Sequence, residues 1–158
     1  MQQACENERI ESGTVLAFDF GTKRVGVAVG DLAHGIAHPL STIVFEDNRR
    51  RMDAIAALVA EWQPVRLIVG VPGGERQHDH PLSTPIGSFV RRLHARFGIK
   101  VEMVDEALSS WAASRKLSQA GLRARSQKHR VDAMAACIIL ETWFEDRRPG
   151  STLLRDER

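Results

Sequence analysis

The sequence predicts an α/β protein with a mixed β-sheet and helices on both faces of that sheet. Two β-rich runs, residues 15–20 and 25–29, are separated by a short turn that begins with Gly21, which is typical of an antiparallel hairpin. A later run, residues 65–71, is continuously apolar, as expected of a strand covered by helices on both faces. Antiparallel strands therefore come first, and parallel strands joined by helices follow.

The remaining elements follow from local patterns. We expect a third short strand over about residues 35–43 and a helix over 48–62, where apolar residues recur at helical spacing. The later elements are a helix over 82–97, a strand over 99–104, a helix from Ser109 or Ser110 to about 120, and a last helix over about 126–145. Two glycines and two prolines between positions 72 and 81 favour an exposed loop.

Length and composition are typical of one globular domain. The 158 residues include 22 basic and 20 acidic ones, and we expect the domain to span residues 13–146, with flexible tails at 1–12 and 148–158. Such a chain is too short for two substantial domains around a cleft. No run approaches the roughly 20 apolar residues of a membrane span, and the first residues lack the apolar core of a signal peptide, so we expect a cytoplasmic location. The two cysteines have no zinc-finger spacing, which argues against structural zinc and a disulfide framework.

Asp19 lies inside the first β-rich run, between two phenylalanines. An ionised carboxylate in such a place destabilises the fold by several kcal/mol unless it is paired or binds a metal. Two interpretations stay open. Asp19 either accepts N–H groups from the turn at 21–24 or pairs with Lys23 or Arg24, or it belongs to a metal or phosphate site.

Asp132 is the only charged residue in the run 131–140, so the last helix is expected to be buried around most of its circumference. A structural alternative places Asp132 in the first helical turn, where the helix dipole and the nearby Lys128, His129 and Arg130 favour an acid.

Asp105 and Glu106 follow a predicted strand at its carboxyl end, where α/β folds commonly place ligand sites. Solvated loop acids are the alternative, and we expect only one of the pair to point inward. Together with Asp19 and Asp132, such an acid would form an all-oxygen site suited to Mg²⁺ or Mn²⁺. Cations held by carboxylates activate water and stabilise the leaving oxygen in phosphodiester hydrolysis, so the implied reaction is cleavage of a nucleic-acid backbone.

The segment 107–131 contains no acidic residue and six basic ones, namely Arg115, Lys116, Arg123, Arg125, Lys128 and Arg130. A basic patch between candidate catalytic acids predicts salt-dependent binding of nucleic acid, although a solvated helix face would have the same composition. The arginines at 49–51 and Arg91, Arg92 and Arg96 either extend this patch or are ordinary charge on helix surfaces.

Four motifs occur in a characteristic order: DFGTKRVGVAVGD at 19–31, GVP at 70–72, DE at 105–106 and VDAMAA at 131–136. Over about residues 13–146 the chain therefore resembles the YqgF family of RuvC-like nucleases. The resemblance implies an RNase H-like three-layer fold, a magnesium-dependent nuclease, and a role in maturing the 5′ end of the pre-16S ribosomal RNA. An older description of the family as Holliday junction resolvases implies branched DNA as an alternative substrate.

Carried over by motif position, the resemblance implies that Asp19, Glu106 and Asp132 are the catalytic acids and the metal ligands. The expected substrate-binding residues are the turn residues Thr22, Lys23 and Arg24 and, from the basic segment, Arg123, Arg125, Lys128 and Arg130. The chain departs from the family where residues 107–110 read ALSS instead of RLTT, which removes an arginine that could contact substrate or orient Glu106. The loop at 72–81 departs from the family pattern as well.

Two other functions stay open. The missing arginine is compatible with a non-catalytic module that binds RNA or the ribosome. The DFGT turn also resembles the phosphate loop of actin-like and sugar-kinase ATPases, but those proteins close two such domains around ATP, and this chain supplies one. The expected partners are ribosomal RNA precursor, branched DNA and ribosomal particles, without a membrane, for a protein that is a monomer or weak dimer.

Overall fold

The computed structural model describes residues 12–21, 23–71, 85–105 and 128–147. Within these ranges the strands are β1 (Thr14–Phe20), β2 (Arg24–Asp31), β3 (Ile36–Val44), β4 (Arg66–Val71) and β5 (Val101–Asp105). The helices in the same ranges are α1 (Asn48–Trp62), α2 (Pro85–Phe97) and α3 (Lys128–Arg147).

All of these strands form one sheet in the order β3-β2-β1-β4-β5, with β1 at its centre. β1 pairs antiparallel with β2, and β2 pairs antiparallel with β3. β4 pairs parallel with both β1 and β5, so these three strands have their carboxyl ends at the same edge of the sheet. The predicted antiparallel meander followed by parallel strands is confirmed.

Each face of the sheet has its own core, because successive side chains of a strand point to opposite faces. The core under α1 and α2 consists of Leu16, Phe18, Val25, Val27, Ile43, Met52, Ile55, Leu67, Val69, Phe89 and Leu93. The core under α3 consists of Val15, Ala17, Ala28, Ile68, Ala136, Cys137, Ile139, Leu140, Trp143 and Phe144. Helices therefore cover both faces, as the apolar run of β4 predicts.

Small residues let α3 lie unusually close to the centre of the sheet. Ala17 and Ala28 face α3, and β2 contributes glycines at positions that leave no room for a larger side chain. A Cβ on Gly30, for example, would lie 2.8 Å from Leu140 Cδ2 and 2.9 Å from Phe144 Cε2. Residues 136–140 are all buried, which confirms the prediction that this helix is covered around most of its circumference.

The observed bounds agree best with the sequence where capping residues set them. α1 has the predicted bounds because the Asp47 side chain accepts the Arg50 N–H at 2.8 Å and Gln63 leaves the helix at a left-handed φ of 47°. α3 covers Lys128–Arg147 within the described residues, where the sequence pattern predicts about 126–145. The predicted helix at 109–120, the loop at 72–81 and most of both predicted tails lie outside the described residues. None of the described helices combines the length and the hydropathy that a membrane span requires.

Candidate active site

Asp19 lies near the carboxyl end of the central strand, on the face covered by α3. Val15 and Ala17 belong to the core under α3, so alternation along β1 turns Asp19 to the same face. Its neighbours across the sheet are Gly26 on β2 and Gly70 on β4. Neither neighbour carries a side chain that would separate the Asp19 carboxylate from another element packed on this face.

Asp132 reaches the same place because α3 crosses β2 at Gly26. A Cβ added at Gly26 would collide with the carbonyl oxygen of Asp132 and would lie 3.1 Å from the backbone nitrogen of Ala133. Only glycine therefore permits the approach that brings the backbone of Asp132 against the strand paired with Asp19. Sequence reasoning did not assign Gly26 a role, although it lies inside the DFGTKRVGVAVGD motif.

Arg24, the first residue of β2, forms an ion pair with Asp132. Its Nε–H donates to Asp132 Oδ2 at 2.6 Å, and the two side chains are 36% and 20% exposed. Arg24 thus engages an acid 108 positions along the chain, and the interpretation in which Asp19 pairs within the turn stays a prediction. The first-turn interpretation of Asp132 is wrong, because the first turn of α3 holds no acidic residue.

These residues line one open cleft of about 330 Å³ at the edge where β1 ends. Its walls are Asp19, Phe20, Gly21, Lys23, Arg24 and Asp132. Two carboxylates and two cationic side chains thus surround a space large enough for a phosphate group. The cleft combines acids that could hold a metal with cations that could hold the phosphate of a substrate.

The donor set of the cleft fits a hard divalent cation. Carboxylate oxygens are the ligands that Mg²⁺ and Mn²⁺ prefer, and Mg²⁺ usually keeps several waters beside one or two protein carboxylates. Within the part of the chain that the structure describes, no three His, Cys, Asp or Glu side chains converge as a metal site. Among the described residues, Asp19 and Asp132 are the acids that line the cleft together.

Several predicted site residues lie outside the described residues: Thr22, Glu106, Arg123 and Arg125. Lys128 and Arg130 lie in the first turn of α3, close in the chain to Asp132, and their side chains lie outside the described part. Asp105 is the last residue of β5. Val104 packs with the core under α3, so alternation turns Asp105 to the opposite face, away from the face of Asp19.

Comparison with known proteins found a matching family model and similar proteins over most of the chain. The family model RuvX, described as Holliday junction resolvase, matches residues 13–146. A protein of Methylobacillus flagellatus named "Putative pre-16S rRNA nuclease" is 49% identical over 133 residues, which are 84% of this chain and 91% of that protein. A protein of the same name from Escherichia coli O7:K1 is 44% identical over 134 residues, which are 85% of this chain and 97% of that protein.

Solved structures share the fold at low sequence identity. RuvC of T. thermophilus, in complex with a Holliday junction substrate, has a TM-score of 0.54 and 19% identity, covering 85% of this chain and 95% of that one. The Holliday junction resolvase of fowlpox virus has a TM-score of 0.50 and 13% identity, covering 84% and 99%. The fold is therefore the RNase H-like fold of RuvC-like resolvases, as the resemblance implies. The match of the family model across residues 13–146 and the identity to these relatives show that the chain belongs to the RuvX family, also called YqgF.

Proposed function

We propose that this protein is a metal-dependent nuclease that hydrolyses phosphodiester bonds of a ribosomal RNA precursor, at the 5′ end of pre-16S rRNA. The observation that carries the proposal is the convergence of Asp19 and Asp132 in one cleft with Lys23 and Arg24. Two acids so far apart in sequence meet here only because α3 packs directly on β2. Residues 13–146 would act as one nuclease unit.

In the proposed mechanism, Asp19, Asp132 and Glu106 hold Mg²⁺ or Mn²⁺, which when bound supplies an activated water and neutralises charge on the leaving oxygen. Lys23 and Arg24 on the cleft wall hold the phosphate by charge-assisted hydrogen bonds. Arg24 already balances the charge of Asp132 at 2.6 Å, so it lies within reach of a phosphate bound at that acid. The basic segment, with Arg123, Arg125, Lys128 and Arg130, would hold the strand on either side.

Glu106 is the preferred third acid over its neighbour Asp105. Asp105 is turned to the face of the sheet opposite Asp19, so it is poorly placed to join that site. Glu106 is also the residue that matches the family motif. The proposed set of three acids therefore differs from its alternative only in having Glu106 in place of Asp105. Substitution of each of these two residues distinguishes the two sets.

RNA is the proposed substrate because relatives with identities above 40% are named as pre-16S rRNA nucleases. Branched DNA is the second candidate, since the family model is described as a Holliday junction resolvase. Phosphate contacts alone do not distinguish the two substrates, because they carry little sequence or sugar identity. A nuclease of this kind would work in the cytoplasm on ribosomal particles, as a monomer or weak dimer.

The test is cleavage of an end-labelled pre-16S RNA and of a four-way DNA junction by purified protein with Mg²⁺, with Mn²⁺ or with EDTA. Asp19→Asn, Glu106→Gln and Asp132→Asn should each lower the cleavage rate at least about a hundredfold, because even residues that only support metal ligands are worth 10- to 100-fold. Asp105→Asn is the matched control and should cleave at nearly the wild-type rate. Cleavage that survives EDTA or all three substitutions would refute the proposed site, and salt-sensitive binding without cleavage would favour the binding module.

A further inference from the structure

The ion pair between Arg24 and Asp132 uses only part of what each side chain offers. The Nε–H of Arg24 donates to Asp132 Oδ2 at 2.6 Å, and neither side chain forms a further hydrogen bond or ion pair with any other described residue. A guanidinium carries five N–H donors and can engage both oxygens of a carboxylate at once. This end-on contact therefore leaves Asp132 Oδ1 and the terminal nitrogens of Arg24 available to other partners, and both residues line the cleft.

Arg24 extends from a rigid part of the fold. It is the first residue of β2 and pairs with Val44 on β3, and next to this pair the N–H of Phe45 donates to the carbonyl oxygen of Lys23 at 3.2 Å. A Cβ on Gly21 would lie 2.5 Å from the carbonyl oxygen of Arg24, so the turn before β2 packs directly on this residue. Backbone contacts on two sides therefore set the position from which the Arg24 side chain extends.

The packing of α3 on β2 places Asp132 opposite Arg24. Arg24 and Gly26 are two positions apart on β2, so alternation turns both of them to the face that α3 covers. The backbone of Asp132 lies against Gly26, and the Asp132 side chain is 20% exposed. Both partners of the ion pair are thus fixed by main-chain packing, which allows one side chain to orient the other.

We propose that Arg24 is a positioning residue for the divalent cation that Asp132 would help to hold. Its Nε–H fixes Asp132 Oδ2 and leaves Oδ1 for the cation, while its terminal nitrogens hold a phosphate oxygen of the substrate. Groups that hold a metal ligand in place typically change metal affinity by about 10- to 100-fold. This role rests on the proposed nuclease function, and its two tasks are separable because they use different nitrogen atoms of one guanidinium.

Three substitutions at Arg24 separate the two tasks, because each places a different group where Nε now lies. Arg24→Gln keeps an amide nitrogen at that position but lacks the positive charge and the terminal nitrogens. Arg24→Lys keeps the charge but has a methylene there, and Arg24→Met has neither a donor nor a charge. Because Arg24 is 36% exposed, we expect all three variants to fold, which circular dichroism checks.

Binding of Mn²⁺, measured by titration calorimetry, tests the positioning task by comparing proteins of equal charge. Arg24→Lys should bind Mn²⁺ about tenfold more weakly than wild type, and Arg24→Met about tenfold more weakly than Arg24→Gln. If Arg24 acted only through its charge, Arg24→Lys would match wild type, and Arg24→Gln and Arg24→Met would both bind Mn²⁺ more tightly because a repelling charge is gone. That pattern, or equal affinity in all four proteins, would overturn the positioning role.

Binding of single-stranded RNA over a range of salt concentrations tests the phosphate task, in an Asp19→Asn background that is expected to prevent cleavage. Arg24→Gln and Arg24→Met should each reduce the slope of log K against log salt by about 0.7, and Arg24→Lys should keep the slope. An unchanged slope in Arg24→Gln would overturn the phosphate contact.

The two readouts also distinguish failure of this role from failure of the proposed function. Wild-type protein that binds no Mn²⁺ and cleaves neither substrate would refute the proposed function and this role with it. Wild-type protein that binds Mn²⁺ and cleaves, with the same Mn²⁺ affinity in every Arg24 variant, would overturn the positioning role alone.

Discussion

Substitution of Gly26 by alanine should move α3 away from the sheet and lower the stability of the fold. The added Cβ would overlap the carbonyl oxygen of Asp132, a backbone atom that cannot rotate away as a flexible side chain can. The first turns of α3 would therefore have to move away from β2, and Asp132 would move with them. Overpacking of this kind typically costs 1–3 kcal/mol, and we expect about 3 kcal/mol because backbone must shift.

Two assays follow from this displacement. For a chain of this size about 3 kcal/mol lowers Tm by roughly 6–12 °C, which differential scanning calorimetry would detect. At a temperature where the variant is still folded, cleavage should be slower by about a hundredfold, because misplacement of a reacting group by about 1 Å has that effect. Metal affinity, measured by titration calorimetry, should fall as well, since Asp19 and Asp132 would no longer converge.

Gly30→Ala is the matched control on the same strand and the same face. Its Cβ would meet the side chains of Leu140 and Phe144 at 2.8 and 2.9 Å and the carbonyl oxygen of Ile36 on β3 at 2.9 Å. The two α3 residues lie far along that helix from Asp132. We expect a loss of about 1–2 kcal/mol in stability with a nearly normal cleavage rate. If Gly26→Ala were as stable and active as wild type, the close approach of α3 would be refuted, and equal loss of activity in both variants would attribute it to general destabilisation.

Three further predictions test individual contacts. Arg24→Gln should lower the free energy of unfolding by about 1 kcal/mol or less, because its ion pair with Asp132 is partly exposed. A double-mutant cycle with Asp132→Asn measures the coupling energy of the pair, and a cycle without coupling would contradict the ion pair. The hydrogen bond from His34 lowers the pKa of Asp31, so the ionised carboxylate contributes stability above its ordinary pKa, and this contribution is lost as the pH falls through the lowered pKa. The difference in urea midpoint between wild type and Asp31→Asn should therefore be larger at about pH 6 than in strongly acidic solution, and a difference that does not change with pH would contradict the contact. Leu140→Ala should cost about 2–5 kcal/mol in urea unfolding, because the side chain is fully buried under the sheet, and a cost below 1 kcal/mol would contradict that packing.

Much of the fold could be predicted because it depends on neighbours along the chain. The bounds of α1 follow from a cap at Asp47 and a stop after Trp62, both encoded within a few residues. The order of antiparallel and parallel strands follows from connection lengths, since a short turn can join only antiparallel neighbours. Asp19 and Asp132 could be selected as site candidates because each is a lone charge in an apolar run.

The sequence by itself therefore determined the fold class, the elements and two candidate site acids, Asp19 and Asp132, which are single charges in apolar runs. Only the tertiary structure decided that Asp132 pairs with Arg24, that Gly26 sets the distance between α3 and the sheet, and that Arg51 lies among three phenylalanine rings. The physical reason is the separation along the chain over which each kind of interaction acts. Periodicity and capping act over a few residues, whereas these contacts join elements far apart in the chain and depend on which face of the sheet each side chain occupies.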